Sequence, residues 1–138
     1  MSSNIDIVRR GYEHFVATGD VLDSNAAPEF VWDMSQFGSW PEDQFYEGVE
    51  GARAFLRAWA DAWEDWRLEV ESLHEAGDKV VAIVHQSGRS KSTGLPVDMT
   101  FAQVWTLRDG LQARMVMYQD VSAAMRAAGI AEEAPAGD

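Results

Sequence analysis

The chain has 138 residues, no cysteine and a formal net charge of −12 at pH 7. That length suits one domain with a real core or a small cavity, and the lack of cysteine removes disulfide and thiol chemistry and makes the cytoplasm the expected location. The acidity argues against nucleic acid and anionic membrane surfaces, both of which require basic patches, and no apolar run approaches membrane-spanning length.

In chain order, Ser3-Asn4-Ile5-Asp6 reads as a capping box with Asp in place of Glu. Ile5, Val8, Tyr12, Phe15 and Val16 then recur at helical spacing, predicting a first helix that stops near Gly19. No secretory signal pattern precedes it. Asp20 is a candidate cap for a short helix over Val21 to Ala27, ended by Pro28, and Phe30 to Met34 reads as a short strand. Ser35 to Gly48 reads as a long loop, and Glu50 to Asp65 as a helix with Ala52, Phe55, Leu56, Trp59 and Trp63 on one stripe. The period then becomes two. Trp66, Leu68 and Val70 alternate with charged residues, followed by strands over Lys79 to Ser87, Val97 to Leu107 and Leu111 to Tyr118. Gly77-Asp78 and Asp109-Gly110 are the turn signals between them. Val121 to Ala128 closes with a short helix. The pattern predicts an α+β domain over residues 1–130 and a disordered tail over 131–138. A strongly curved antiparallel sheet around the N-terminal helices would leave a cone with an open mouth.

Within that frame Asp33 is the most demanding residue. It lies among Phe30, Trp32, Phe37 and Trp40, where a carboxylate must raise its pKa, find a partner or turn to water. One face of the strand from Val97 reads Met99, Phe101, Gln103 and Trp105, so Gln103 is a polar group on an apolar face and needs a partner or a ligand. Tyr12 sits on the apolar stripe of the first helix, where its hydroxyl faces the same requirement. Asp120 suits a helix N-cap as well as a pocket carboxylate, and shares strand parity with Arg114 and Tyr118. His85 alternates with Val81 and Ile83 and is a candidate base or orienting group. Trp32, Phe37 and Trp40 crowd the predicted mouth. They join Trp59, Trp63, Met99, Phe101, Trp105, Arg114, Tyr118 and His85 as candidate ligand-binding residues for a flat hydrophobic molecule. No metal-binding spacing and no phosphate-binding loop occurs in the sequence, so no metal or cofactor is expected.

Several pieces, taken together, carry a family resemblance. They are Arg9-Arg10-Gly11-Tyr12, Gly19-Asp20, Trp32-Asp33-Met34-Ser35, Tyr46-Glu47-Gly48, Gly51, Val104 to Gly110, Tyr118-Gln119-Asp120 and Ala127-Ala128-Gly129. In order and spacing the chain resembles the SnoaL-like branch of the NTF2-like superfamily, which implies the cone fold. That superfamily mixes catalytic and purely binding domains, so fold alone does not fix activity. Its ketosteroid isomerases imply a base near Asp33 and oxyanion donors at Tyr12 and at or beside Gln103, where those enzymes carry a protonated aspartate. Its SnoaL-type polyketide cyclases imply an acid/base aspartate at Asp120. In the epoxide hydrolases of the superfamily, Arg114 and Asp120 would imitate an Arg–Asp pair, but the second aspartate of that pattern has no match here. The implied activity is cofactor-independent proton transfer beside a carbonyl, an isomerisation or cyclisation, with non-catalytic binding of a small apolar ligand as the alternative. A homodimer through the exposed sheet face is the expected assembly.

Overall fold

The computed structural model describes residues 3–38 and 43–130. Trp40 and the tail from residue 131 lie outside the described residues. Helix α1 runs Asn4–Thr18; Ser3 caps it, accepting from the Asp6 N–H at 3.3 Å. Gly19 ends it in the left-handed region, φ 78°, with its N–H on the Phe15 carbonyl, a conformation that glycine adopts without a Cβ clash. After a three-residue 3₁₀ turn at Asp23–Asn25 come strand β1 (Ala26–Asp33), strand β2 (Phe45–Glu47), helix α2 (Gly48–Asp61), strands β3 (Trp63–Ala76), β4 (Lys79–Ser90), β5 (Pro96–Arg108) and β6 (Leu111–Tyr118), and helix α3 (Val121–Ala127).

The six strands form one curved, unclosed sheet in the order β2-β1-β6-β5-β4-β3. β1 runs parallel to β6, and the other pairs are antiparallel. The turn at Asp109-Gly110 has positive φ at both residues, 54° and 78°, the type I′ geometry that the dipeptide predicts.

The alternation of side chains divides the sheet into two faces. Val80, Ala82, Val84, Phe101, Trp105, Met115 and Met117 point inward and pack with Ile7 and Val8 of α1 and with Ala52, Phe55 and Trp59 of α2. Val81, Ala102 and Val104 point outward and are covered by Ala124 and Met125 of α3.

Three elements differ from expectation, the first being strand β2 at Phe45–Glu47, which lies inside the stretch from Ser35 to Gly48 that reads as a loop and pairs with β1. The predicted helix over Val21 to Ala27 is replaced by the short 3₁₀ turn, and the chain from Ala26 joins the sheet. Pro28 sits in that strand where the register with β6 shifts between Ala26 and Val31, a place where its missing N–H breaks no ladder bond. The long helix begins at Gly48 and stops at Asp61, so Trp63 to Asp65 open β3 instead of extending the helix. Asp65 takes a positive φ of 54° next to a register shift in the β3–β4 pairing, which re-aims the strand after the helix.

Candidate functional site

Between the inner face of the sheet and the two long helices lies a cavity of about 80 Å³. Its walls come from α1 (Val8, Gly11, Tyr12, Phe15), β1 (Phe30, Trp32), α2 (Phe55, Leu56, Trp59), β3 (Trp66, Leu68) and the inner faces of β5 and β6 (Phe101, Gln103, Trp105, Gln112, Met117). The aromatic rings support one another. Trp32 lies 4.7 Å from Phe55 between centroids, Phe55 stacks on Trp59 at 5.6 Å, and Trp105 meets Tyr12 edge-on at 5.9 Å. Tyr12 and Leu68 also line an open groove between α1 and β3.

Polar groups of this wall and of the core behind it form two short chains. Trp105 Nε1 donates to the Tyr12 hydroxyl at 2.8 Å, and that hydroxyl donates to Gln103 Oε1. Burial raises the Tyr12 pKa well above the usual phenol range, with the Trp105 hydrogen bond opposing it, so Tyr12 stays protonated. With its oxygen already accepting from Tyr12, Gln103 offers Nε2 as its donor. That nitrogen has a weak acceptor, Met117 Sδ, at 3.6 Å. In the second chain Gln86 Oε1 accepts from Trp59 Nε1 at 2.7 Å and from Trp66 Nε1 at 2.8 Å, while Gln86 Nε2 has no partner among the described residues. In both chains the glutamine oxygen is held by ring donors and the NH₂ group is left over. No described residue lining the cavity is charged or is histidine.

A family model for the SnoaL-like domain matches residues 8–115. The chain belongs to the SnoaL-like family. Comparison with curated proteins finds no match. Among solved structures, this SnoaL-like chain is similar to TerC co-crystallised with polyporic acid, at 25% identity, 91% of this chain, 97% of that chain and TM-score 0.71. It is also similar to TsrD from Streptomyces laurentii, at 28% identity, 89% and 95% coverage and TM-score 0.64. A candidate SnoaL-like polyketide cyclase from Jannaschia sp. CCS1 is 22% identical over 98% of both chains, with TM-score 0.68, and shares the fold.

The acid/base positions that the family suggests lie elsewhere in this SnoaL-like domain. Asp33 is buried, but strand alternation turns Phe30 and Trp32 into the cavity and Asp33 to the other face, where it pairs with Arg114 and accepts from the Ser35 N–H at 2.8 Å. Burial alone would raise its pKa; the Ser35 hydrogen bonds and the Arg114 guanidinium outweigh it and hold the carboxyl below the usual range. Asp33 is therefore an ionised structural anchor and a weak base. Asp120 is exposed and caps α3, accepting from the Ser122 N–H at 3.0 Å.

Other expected pocket residues also move off the site. Arg114 and Tyr118 share the outer face with Asp33; burial, then the Asp33 charge, raises the Tyr118 pKa. His85 follows Val81 outward and pairs with Asp98, which raises its pKa, so it does not face the pocket. Phe37 packs behind the wall against Trp59 and Phe101. Trp63 abuts Trp59, and Met99 packs on the same core; neither lines the cavity.

Of the candidates, the structure brings Tyr12, Trp32, Trp59, Phe101, Gln103 and Trp105 together around the cavity. Sequence reasoning missed Gly11, Trp66 and Gln112 as cavity residues. Trp66 carried a signal, since it opens the period-two pattern on the parity of Leu68.

Proposed function

We propose that the cavity binds a flat, largely apolar molecule and hydrogen-bonds a carbonyl oxygen of it through Gln103 Nε2. The observation that carries this reading is the make-up of the described wall: aromatic and aliphatic side chains, no charge, and a glutamine whose oxygen accepts from Tyr12 and whose Nε2 has only a thioether within reach. A ligand oxygen is a much better acceptor for Gln103 than the Met117 thioether at 3.6 Å. The likeness to TerC, co-crystallised with polyporic acid, supports a small organic molecule as occupant.

A second reading, isomerisation or cyclisation of a hydrophobic carbonyl compound, is favoured by the Trp105–Tyr12–Gln103 chain, which would stabilise a developing oxyanion. Neither Asp33 nor Asp120 lines the cavity, so such a reaction would suit a substrate whose proton loss needs neither of these carboxylates.

Titration calorimetry with acetophenone and ethylbenzene tests the binding reading. Acetophenone should bind about 5-fold more tightly, the worth of one net hydrogen bond, and Gln103→Leu should erase that preference. Absence of saturable binding by either compound would overturn the reading. Solvent-deuterium uptake at the acetophenone methyl group, catalysed by wild type and lost in Gln103→Leu, would favour the catalytic reading.

A further inference from the structure

The cavity has a second polar end that the Tyr12–Gln103 chain does not explain. Gln112, on the inner face of β6, is only 7% exposed and lines the cavity, and its side-chain amide makes no hydrogen bond among the described residues. A buried carboxamide left without partners costs stability unless something else satisfies it. Beside it lies Asn25, 6% exposed, whose Nδ2 donates to the Ile7 carbonyl at 2.8 Å and keeps a second N–H.

The third member of the group is Gly11, in the middle of α1 and on the cavity wall. Its backbone is not left-handed. A Cβ built on it would lie 3.4 Å from Asn25 Nδ2 and 3.7 Å from Gln112 Nε2, both ordinary contact distances. Neither backbone nor packing therefore demands glycine there, although glycine is the poorer helix former. What glycine does is leave space in front of two amide nitrogens.

Resting on the binding reading above, we infer that Gly11, Asn25 and Gln112 form a second subsite, which takes an oxygen at the far end of the cavity ligand. Gln112 lies opposite Leu107 in the β5–β6 pairing, four residues along β5 from Gln103. At the strand rise this puts the two residues roughly 13 Å apart along the sheet backbone. A ligand that meets both amides must therefore carry oxygen functions at opposite ends, as a single ring substituted at opposite positions does. The ligand class is a para-disubstituted, oxygenated aromatic ring, with its carbonyl on Gln103.

Acetophenone and 4-hydroxyacetophenone differ only at that far end. By calorimetry, wild type should bind the hydroxylated compound about 5-fold more tightly, one further net hydrogen bond. Gln112→Leu should bring the two compounds to equal affinity. Gly11→Ala should also remove it by filling the space, while raising Tm by about 3–5 °C through helix propensity. If both compounds bind wild type equally, or if either variant keeps the 5-fold preference, the subsite is wrong and the cavity reading stands. If neither compound binds wild type, both fall.

Discussion

The two faces of the sheet handle polarity in opposite ways. On the inner face the polar groups of the cavity wall are neutral amides, indoles and a phenol, most of them tied into short chains by side-chain donors. The outer face carries the carboxylates and their partners: Arg114 with Asp33 and His85 with Asp98. Charges in an enclosed apolar space carry a large desolvation cost, whereas at a half-open face they are stabilised by partners and water. The difference explains how one short acidic chain keeps its charged side chains off the described wall of an aromatic cavity. It also separates the residues that shape the pocket from those that hold the sheet.

The strongest test of that separation is Gln86→Leu. This residue is 1% exposed, and its oxygen serves the indoles of both Trp59 and Trp66. The substitution removes the acceptor of a buried and a half-buried N–H donor and should cost about 2–4 kcal/mol, read as a lower denaturant midpoint with an unchanged m-value. A cost below about 1 kcal/mol would mean that the indoles find other partners and the inner chain is not a framework.

Asp33→Asn probes the outer face and should have a smaller effect, about 1–2 kcal/mol, because Arg114 remains partly solvated. The native pKa of Asp33 lies below its unfolded value. Its stabilisation is therefore fully present above about pH 4 and is lost as the pH falls through the native pKa. Stability curves of wild type and variant should differ at pH 7 and converge in acid. Acetophenone affinity should not change; a large loss would place Asp33 in the pocket after all.

Much of this arrangement was legible in the residues, with one systematic gap. Strand parity alone identified the inward set of Phe101, Gln103 and Trp105, because β5 alternates without interruption over that stretch. The same logic, applied to Phe30-Val31-Trp32-Asp33, turns Asp33 away from the rings on either side of it in sequence. The aromatic crowding that made Asp33 look costly is thus partly an effect of listing both faces together. Its partner Arg114 is 81 residues away, on a strand joined to β1 in parallel, a pairing with no local signature. Gln112 was missed for a related reason. The β5–β6 register shifts at Thr106/Leu107, so the parity that puts Met115 and Met117 inward does not extend back to Gln112.

Asp120 gives the smallest expected effect and the cleanest distinction between a cap and a base. Its carboxylate accepts from Ser122 at the start of α3, a seven-residue helix that covers Val81, Ala102 and Val104. Asp120→Ala should cost about 1 kcal/mol, the usual worth of a cap, measured as a fall in the denaturation midpoint. Asp120→Ser should recover most of it, because a hydroxyl caps nearly as well. A pocket base would show the reverse pattern, with serine no better than alanine and any turnover lost in both. Recovery by serine would tie Asp120 to the outer face, where α3 closes over the sheet and the cavity lies on the other side.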